Sequence, residues 1–324
     1  MAHAPRRGVA CLFALTTVAF GLTAPSLAHA FCRTVTTPLP ANYSPAAGCF
    51  TEGLPLYWKN ACLGYSVQRD ASQRVPLETA TKVIDTAFGT WNDAICPETN
   101  EQIGISIRDL GPVACAEVRY NKAAPNQNVI IFRDDRWPYS DPNNTLGLTT
   151  LTFDSTTGEI YDADMEINAS GKNLTTSDTV PPSGFDLLSV VTHEAGHFLG
   201  LAHATDTKAT MYASYKPGTS ALRTLTADDI AGACAIYPSA TKRIVDPSVP
   251  NSQNGVLTAA ACDSTPRHGF SSECAADAPV ETSGGCAVTG ARPGSDVPFA
   301  WILVGTLLPV VGRRFGRARR RTLR

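Results

Sequence analysis

His193-Glu194-Ala195-Gly196-His197-Phe198-Leu199-Gly200-Leu201-Ala202-His203 spells the pattern HExxHxxGxxH. On a helix the first two histidines, four residues apart, share one face and can hold one metal ion at roughly 2.0–2.1 Å from each nitrogen. Gly200 lets the chain leave the helix and bring His203 back as a third ligand. Glu194, beside the first ligand, is placed to take a proton from a metal-bound water. With His at roughly 2% and Glu and Gly at roughly 7% of residues, these five fixed positions recur by chance in a chain of this length about once in a hundred thousand. Outside this stretch and the first thirty residues, His268 is the one remaining histidine. The pattern reads as a hydrolytic site for one zinc ion.

The ends of the chain place that chemistry. Arg6 and Arg7 precede an apolar run from Val9 to Leu22, and Ala28-His29-Ala30 supplies a small-x-small cleavage pattern, so residues 1–30 read as a secretory signal with a mature start at Phe31. At the other end, Val297 to Gly312 is mostly apolar and is followed by Arg313, Arg314, Arg317, Arg319, Arg320, Arg321 and Arg324. Arginines in that density hold a C-terminus in the cytoplasm. The apolar run is short of the roughly 20 residues a span needs and contains Pro309, which fits a transient anchor better than a permanent one. Residues 31–289 carry 17 basic and 28 acidic side chains, a net charge of −11. That balance excludes the basic face a nucleic-acid partner normally requires. Cys32, Cys49, Cys62, Cys96, Cys115, Cys234, Cys262 and Cys274 form an even set in an exported chain, and disulfides are expected. Cys262 with Cys274 is the expected local bridge.

The division along the chain is a short extension at 31–53, a catalytic domain at 54–238, a Ser/Ala/Pro/Gly-rich linker at 239–290 and a tail at 291–324. Within the domain, apolar-rich segments at Leu56–Lys59 and Gly64–Val67 precede a helix started by Pro76, with Leu77, Ala80, Ile84, Ala87, Trp91 and Ala94 on one face. Strands are expected at Ile103–Arg108, Ala116–Tyr120, Asn128–Phe132, Gly147–Phe153 and Glu159–Asn168. Asp186 caps a helix from Leu187 to about Leu199 that carries the first two ligands. Thr226-Ala227-Asp228-Asp229 resembles a capping box and starts a last helix. The fold class is α+β: a twisted mixed sheet, a backing helix, a ligand helix and a closing helix.

HExxHxxGxxH followed by Ala209-Thr210-Met211-Tyr212 resembles the metzincin clan of zinc endopeptidases, whose methionine turn lies beneath the metal. Within that clan, Thr210-Met211-Tyr212 with Tyr215, and Leu225 to Ile230 with Ile236-Tyr237, are similar to the matrixins. The resemblance implies a zincin-like fold and peptide-bond hydrolysis in a cleft, with Gly147–Phe153 pairing to an extended substrate. It also implies Gly200 and Met211 as structural supports and an apolar pocket involving Leu148, Tyr212 and Tyr215. There are departures. No histidine lies between Phe31 and Thr192, so the family's second, structural zinc site is expected to be absent, and Ala213 stands where the family usually has proline. Neither the inhibitory cysteine segment nor a pro-domain of the usual length is recognisable. The stretch from Ser283 through the apolar run to the arginines resembles the C-terminal sorting tails of myxobacterial surface proteins. This implies signal peptidase and a sorting protease as processing partners, membrane contact through the tail, and placement at the cell surface, the outer membrane or outside the cell.

Asp162, Asp164 and Glu166 alternate along one strand, with Asp134, Asp135, Asp141 and Asp154 in nearby loops. A structural calcium and a solvated acidic strand edge both account for them. The expected chemistry is a zinc ion held by His193, His197 and His203, with Glu194 taking a proton from the attacking water and returning it to the leaving amine. A zinc hydrolase of non-peptide substrates and a surface binding module with an inert zinc site are the alternatives.

Overall fold

The computed structural model describes residue 1, residues 30–243 and 262–275, and the backbone of 318–323. The proposed signal segment, the apolar run 297–312 and most of the arginine cluster lie outside the described residues. Among the described residues, no helix is long and apolar enough to cross a membrane.

The architecture is the expected α+β arrangement. Six strands form one mixed sheet: β1 (Cys62–Val67), β2 (Ser106–Asp109), β3 (Val129–Arg133), β4 (Gly147–Asp154), β5 (Ile160–Asn168) and β6 (Ala318–Leu323). Their order across the sheet is β6-β4-β5-β3-β1-β2. β2, β1, β3 and β5 run parallel, whereas β4 is antiparallel to both β5 and β6. Three helices accompany the sheet among the described residues: α1 (Leu77–Asn92), α2 (Leu187–Phe198) and α3 (Ala227–Ile236).

The apolar stripe of α1 does what its spacing predicts. Ala80, Ile84, Ala87, Phe88 and Trp91 are buried, and Phe88 stacks on Tyr65 of β1 at 4.4 Å and meets Phe198 of α2 edge-on at 5.3 Å. The C-terminal turn of α2, whose carbonyls have no partner within the helix, is closed by side chains from far along the chain. Trp58 Nε1 donates to Phe198 O (2.8 Å), and the Tyr237 hydroxyl donates to Leu199 O (2.8 Å). These bonds fix the position of α2, and through it the first two histidines.

Two expectations fail for reasons of long-range structure. Ala116–Tyr120 forms no strand; Cys115 is bridged to Cys274, and the Arg119 amide donates to the buried Asp164 carboxylate at 3.1 Å instead of joining a ladder. The local Cys262–Cys274 bridge is replaced by Cys62–Cys262 and Cys115–Cys274, which fasten residues 262–275 across the domain. Cys32–Cys49 and Cys96–Cys234 complete the pairing. Arg243 is also drawn in. It is buried, lies over the Tyr237 ring at 4.9 Å, and donates to the carbonyls of Trp58 (2.6 Å) and Asn60 (2.9 Å).

The loops closed by these bridges differ greatly in length. Cys62–Cys262 spans 200 residues and Cys32–Cys49 spans 17. With Cys96–Cys234 intact the path that Cys62–Cys262 closes is shortened, and chain-closure entropy assigns about 1 kcal/mol more stabilisation to it than to Cys32–Cys49. Urea unfolding of the two paired Cys→Ser variants is expected to show the larger loss for Cys62/Cys262. Equal midpoints would mean that this closure does not govern the denatured state.

Candidate active site

Asp186 starts α2. Its fully buried carboxylate accepts from the Ser189 amide (2.9 Å) and is gripped by Arg223 through Nε (2.8 Å) and Nη2 (2.7 Å). The helix then presents His193 and His197 on one face, with ring centroids 4.8 Å apart. Gly200 adopts φ +95°, a left-handed conformation that glycine takes without strain, and a Cβ there would press on Leu56 O at 3.0 Å. The chain turns back through a two-residue strand, Leu201–Ala202, paired with Cys32–Arg33. This brings His203 within 4.8 Å of His197 and 5.2 Å of His193, ring to ring.

The Met211 turn supports this assembly from behind. Ala204 N donates to Met211 O (2.8 Å). A Cβ at Gly196 would overlap the Met211 sulfur and press on the Trp91 ring, so this glycine permits the close approach of turn and helix. Asp229, at the start of α3, holds the turn through the amides of Thr210 (2.8 Å) and Met211 (3.0 Å).

The donor set fits a zinc ion. Among the described residues, His193, His197 and His203 are the group of three or more candidate ligands that converge, with one nitrogen of each within 4.8 Å of the others. His193 Nδ1 meets Thr210 O at 2.6 Å and His197 Nδ1 meets Leu201 O at 2.9 Å. A carbonyl oxygen can only accept, so both Nδ1 atoms carry the proton and each Nε2 is the nitrogen that would face a metal. His197 Nε2 and His203 Nε2 lie 3.2 Å apart, close to the ~3.3 Å between two ligands of one tetrahedral zinc. Burial lowers the pKa of His193. Burial, with the nearby His193 charge, lowers that of His203 to about 3. Neutral imidazole, the form that binds a metal, is therefore favoured.

Glu194 lies between this triad and β4. Burial pushes its carboxyl up to about 8, while a hydrogen bond from Thr149 Oγ1 (2.8 Å) acts in the opposite direction. His193, Glu194 and His203 line a cavity of about 590 Å³ together with Leu146, Gly147, Phe185, Tyr212 and Tyr215. The Tyr215 hydroxyl accepts from the Asp186 amide (3.2 Å) and donates to Thr219 O, which ties the pocket wall to the start of α2.

Several expectations about the site are corrected. Leu148 is fully buried and does not line the cavity, because alternation along β4 turns Gly147 and Thr149 toward Glu194. The acidic trio on β5 is not a solvated edge: Asp162, Asp164 and Glu166 are 2%, 1% and 0% exposed. Ala163, Met165 and Ile167 enter the core, and the acidic residues take the other face. There Asp164 accepts from the amides of Arg119 (3.1 Å) and Val129 (3.0 Å), and Glu166 pairs with Arg133 (2.6 Å) and the Tyr139 hydroxyl (2.5 Å). Protein donors thus reach oxygens of Asp164 and Glu166. The β4 edge is also altered: β6 pairs along Thr149–Asp154, and among the described residues Gly147 and Leu148 are the part of β4 it leaves open.

Known proteins share this arrangement in sequence. The matrixin family profile matches residues 57–238. Metalloendoproteinase 1 of Glycine max is 32% identical over 161 residues, covering 49% of this chain and 46% of that protein. Matrix metalloproteinase-20 of Homo sapiens is 25% identical over 198 residues (60% and 35%), and neutrophil collagenase of Homo sapiens is 27% identical over 221 residues (66% and 41%). The chain spans less than half the length of each of these relatives.

Proposed function

The chain belongs to the matrixin family, and on that premise we propose that it is an exported zinc endopeptidase hydrolysing peptide bonds of extracellular proteins. The observation that carries this reading is the convergence of three imidazoles beside a buried carboxyl that lines a cavity. His193, His197 and His203 would hold the zinc. When bound, zinc supplies a Lewis acid that acidifies water and polarises a carbonyl.

The remaining steps belong to the chain. Glu194, buried beside the ligand triad, accepts the proton of the attacking water and delivers it to the leaving amine. The open start of β4 at Gly147 offers main-chain groups to an extended peptide. The cavity bounded by Tyr212 and Tyr215 receives a side chain next to the cleaved bond. Met211 and Gly200 position ligands and transfer no proton.

Export through residues 1–30, the domain limits at 54 and 238, and retention at the cell surface by a processed C-terminal tail belong to the same proposal, supported by the residue patterns at the two ends. A structural calcium near Asp162, Asp164 and Glu166 is included on the strength of the resemblance.

Incubation of the purified chain with casein and a peptide library is expected to yield internal cleavage that a zinc chelator abolishes and added zinc restores. Chelator-insensitive cleavage would refute the metal assignment, and no cleavage at all would favour an inert binding module. Mass spectrometry of the native C-terminus is expected to end near Gly285 or Cys286; an intact Arg324 would instead indicate a simple anchor.

A further inference from the structure

Facing α2, β4 carries Gly147, Thr149 and Leu151 in succession. Thr149 is fully buried. A buried hydroxyl is costly unless it is bonded, and valine would fill the same β-branched space on a strand. The partners of this hydroxyl both lie on Glu194: the side-chain Oε2 at 2.8 Å and the main-chain O at 3.2 Å. Gly147, two residues earlier, leaves room for the same carboxyl, since a Cβ there would stand 2.6 Å from Oε1. The two oxygens are therefore held differently, Oε2 by a donor and Oε1 beside Gly147, which lines the cavity.

We propose that Thr149 is a positioning residue that pins Oε2 of Glu194, so that Oε1 is the oxygen that takes and returns the proton; this rests on the peptidase reading above. An oxygen already accepting a hydrogen bond is the poorer base of the pair, and the donor also prevents the carboxyl from turning about its last torsion. Both effects act on the proton-transfer step and leave substrate contacts unchanged, because Thr149 is sealed from the cavity.

The test uses the zinc-loaded full chain and the variants Thr149→Val and Thr149→Ser. Thr149→Val is expected to lower kcat by about 10-fold or more, with KM within about twofold and zinc stoichiometry unchanged, and Thr149→Ser to restore kcat to within about threefold of the parent. A parallel infrared measurement isolates the Glu194 carboxyl band by subtracting the spectrum of Glu194→Gln; that band should shift in Thr149→Val and stay in place in Thr149→Ser. Parent-like kcat in Thr149→Val, equal losses in both variants, or a band that does not move would each overturn the assignment. A parent chain that cleaves nothing would refute the peptidase reading, while the infrared comparison would still decide the positioning role.

Discussion

Replacing Glu194 by glutamine is expected to lower peptide cleavage by about 10²–10⁴-fold, the range that a positioned proton-transfer group contributes, while zinc stays bound at the parent stoichiometry. Glutamine has nearly the same shape, and its amide oxygen can still accept the Thr149 hydroxyl now 2.8 Å from Oε2. Its amide cannot take a proton. The imidazoles keep their own anchors at Thr210 O and Leu201 O, so the metal site does not depend on the carboxylate. The metal-free proteins should differ as well. Burial lifts the Glu194 pKa from 4.5 to about 8, so the folded chain retains a proton that the unfolded chain releases. The resulting stability is complete below about pH 4.5 and is lost as pH rises through about 8. Glu194→Gln should therefore gain on the parent across that window and show no gain below it. Casein cleavage by the variant at the parental rate would remove Glu194 from the mechanism.

Local sequence carried the parts of this site that local geometry dictates. The four-residue spacing of His193 and His197 determines a shared helix face whatever the surroundings, and Gly200 announces the turn that returns His203. The Asp186 cap and the Thr226–Asp229 box likewise mark the starts of α2 and α3 where the structure has them. What could not be read locally depends on partners distant in sequence. Nothing near Gly196 signals that Met211 lies against it, and nothing near Thr149 signals a carboxylate 45 residues away. Asp162, Asp164 and Glu166 look like a polar strand face because alternation reports which side a residue takes, not what covers it. Here Arg119, Arg133 and Tyr139 cover it and turn an apparent solvent edge into a buried polar layer. The disulfides show the same limit: spacing favoured Cys262–Cys274, while the folded chain joins each to a cysteine more than 150 residues earlier.

Asp229 is where fold and chemistry depend most on one side chain. It is 1% exposed and accepts from the amides of Thr210 (2.8 Å), Met211 (3.0 Å) and Thr226 (2.8 Å), and from the Thr226 hydroxyl (2.7 Å). No arginine or lysine pairs with it in these bonds; the amides and the N-terminal end of α3 stabilise its charge. Asp229→Ala leaves three backbone donors without their acceptor at about 1–3 kcal/mol each before relaxation, and a net loss of about 3–5 kcal/mol is expected in urea unfolding. The effect extends to the metal. Thr210 O, which orients His193 through a 2.6 Å bond to Nδ1, sits on the turn that Asp229 holds. Loosening it should weaken zinc binding by about 10–100-fold in a chelator competition, as loss of an outer-shell partner typically does. Asp229→Asn keeps one acceptor oxygen and should fall between the two. Asp228→Ala, which removes the 2.9 Å contact to the nitrogen of Phe31, the proposed mature start, should cost about 1 kcal/mol and leave zinc affinity unchanged. If Asp229→Ala lost stability yet kept parental zinc affinity, the turn would be a structural brace independent of the ligand it carries.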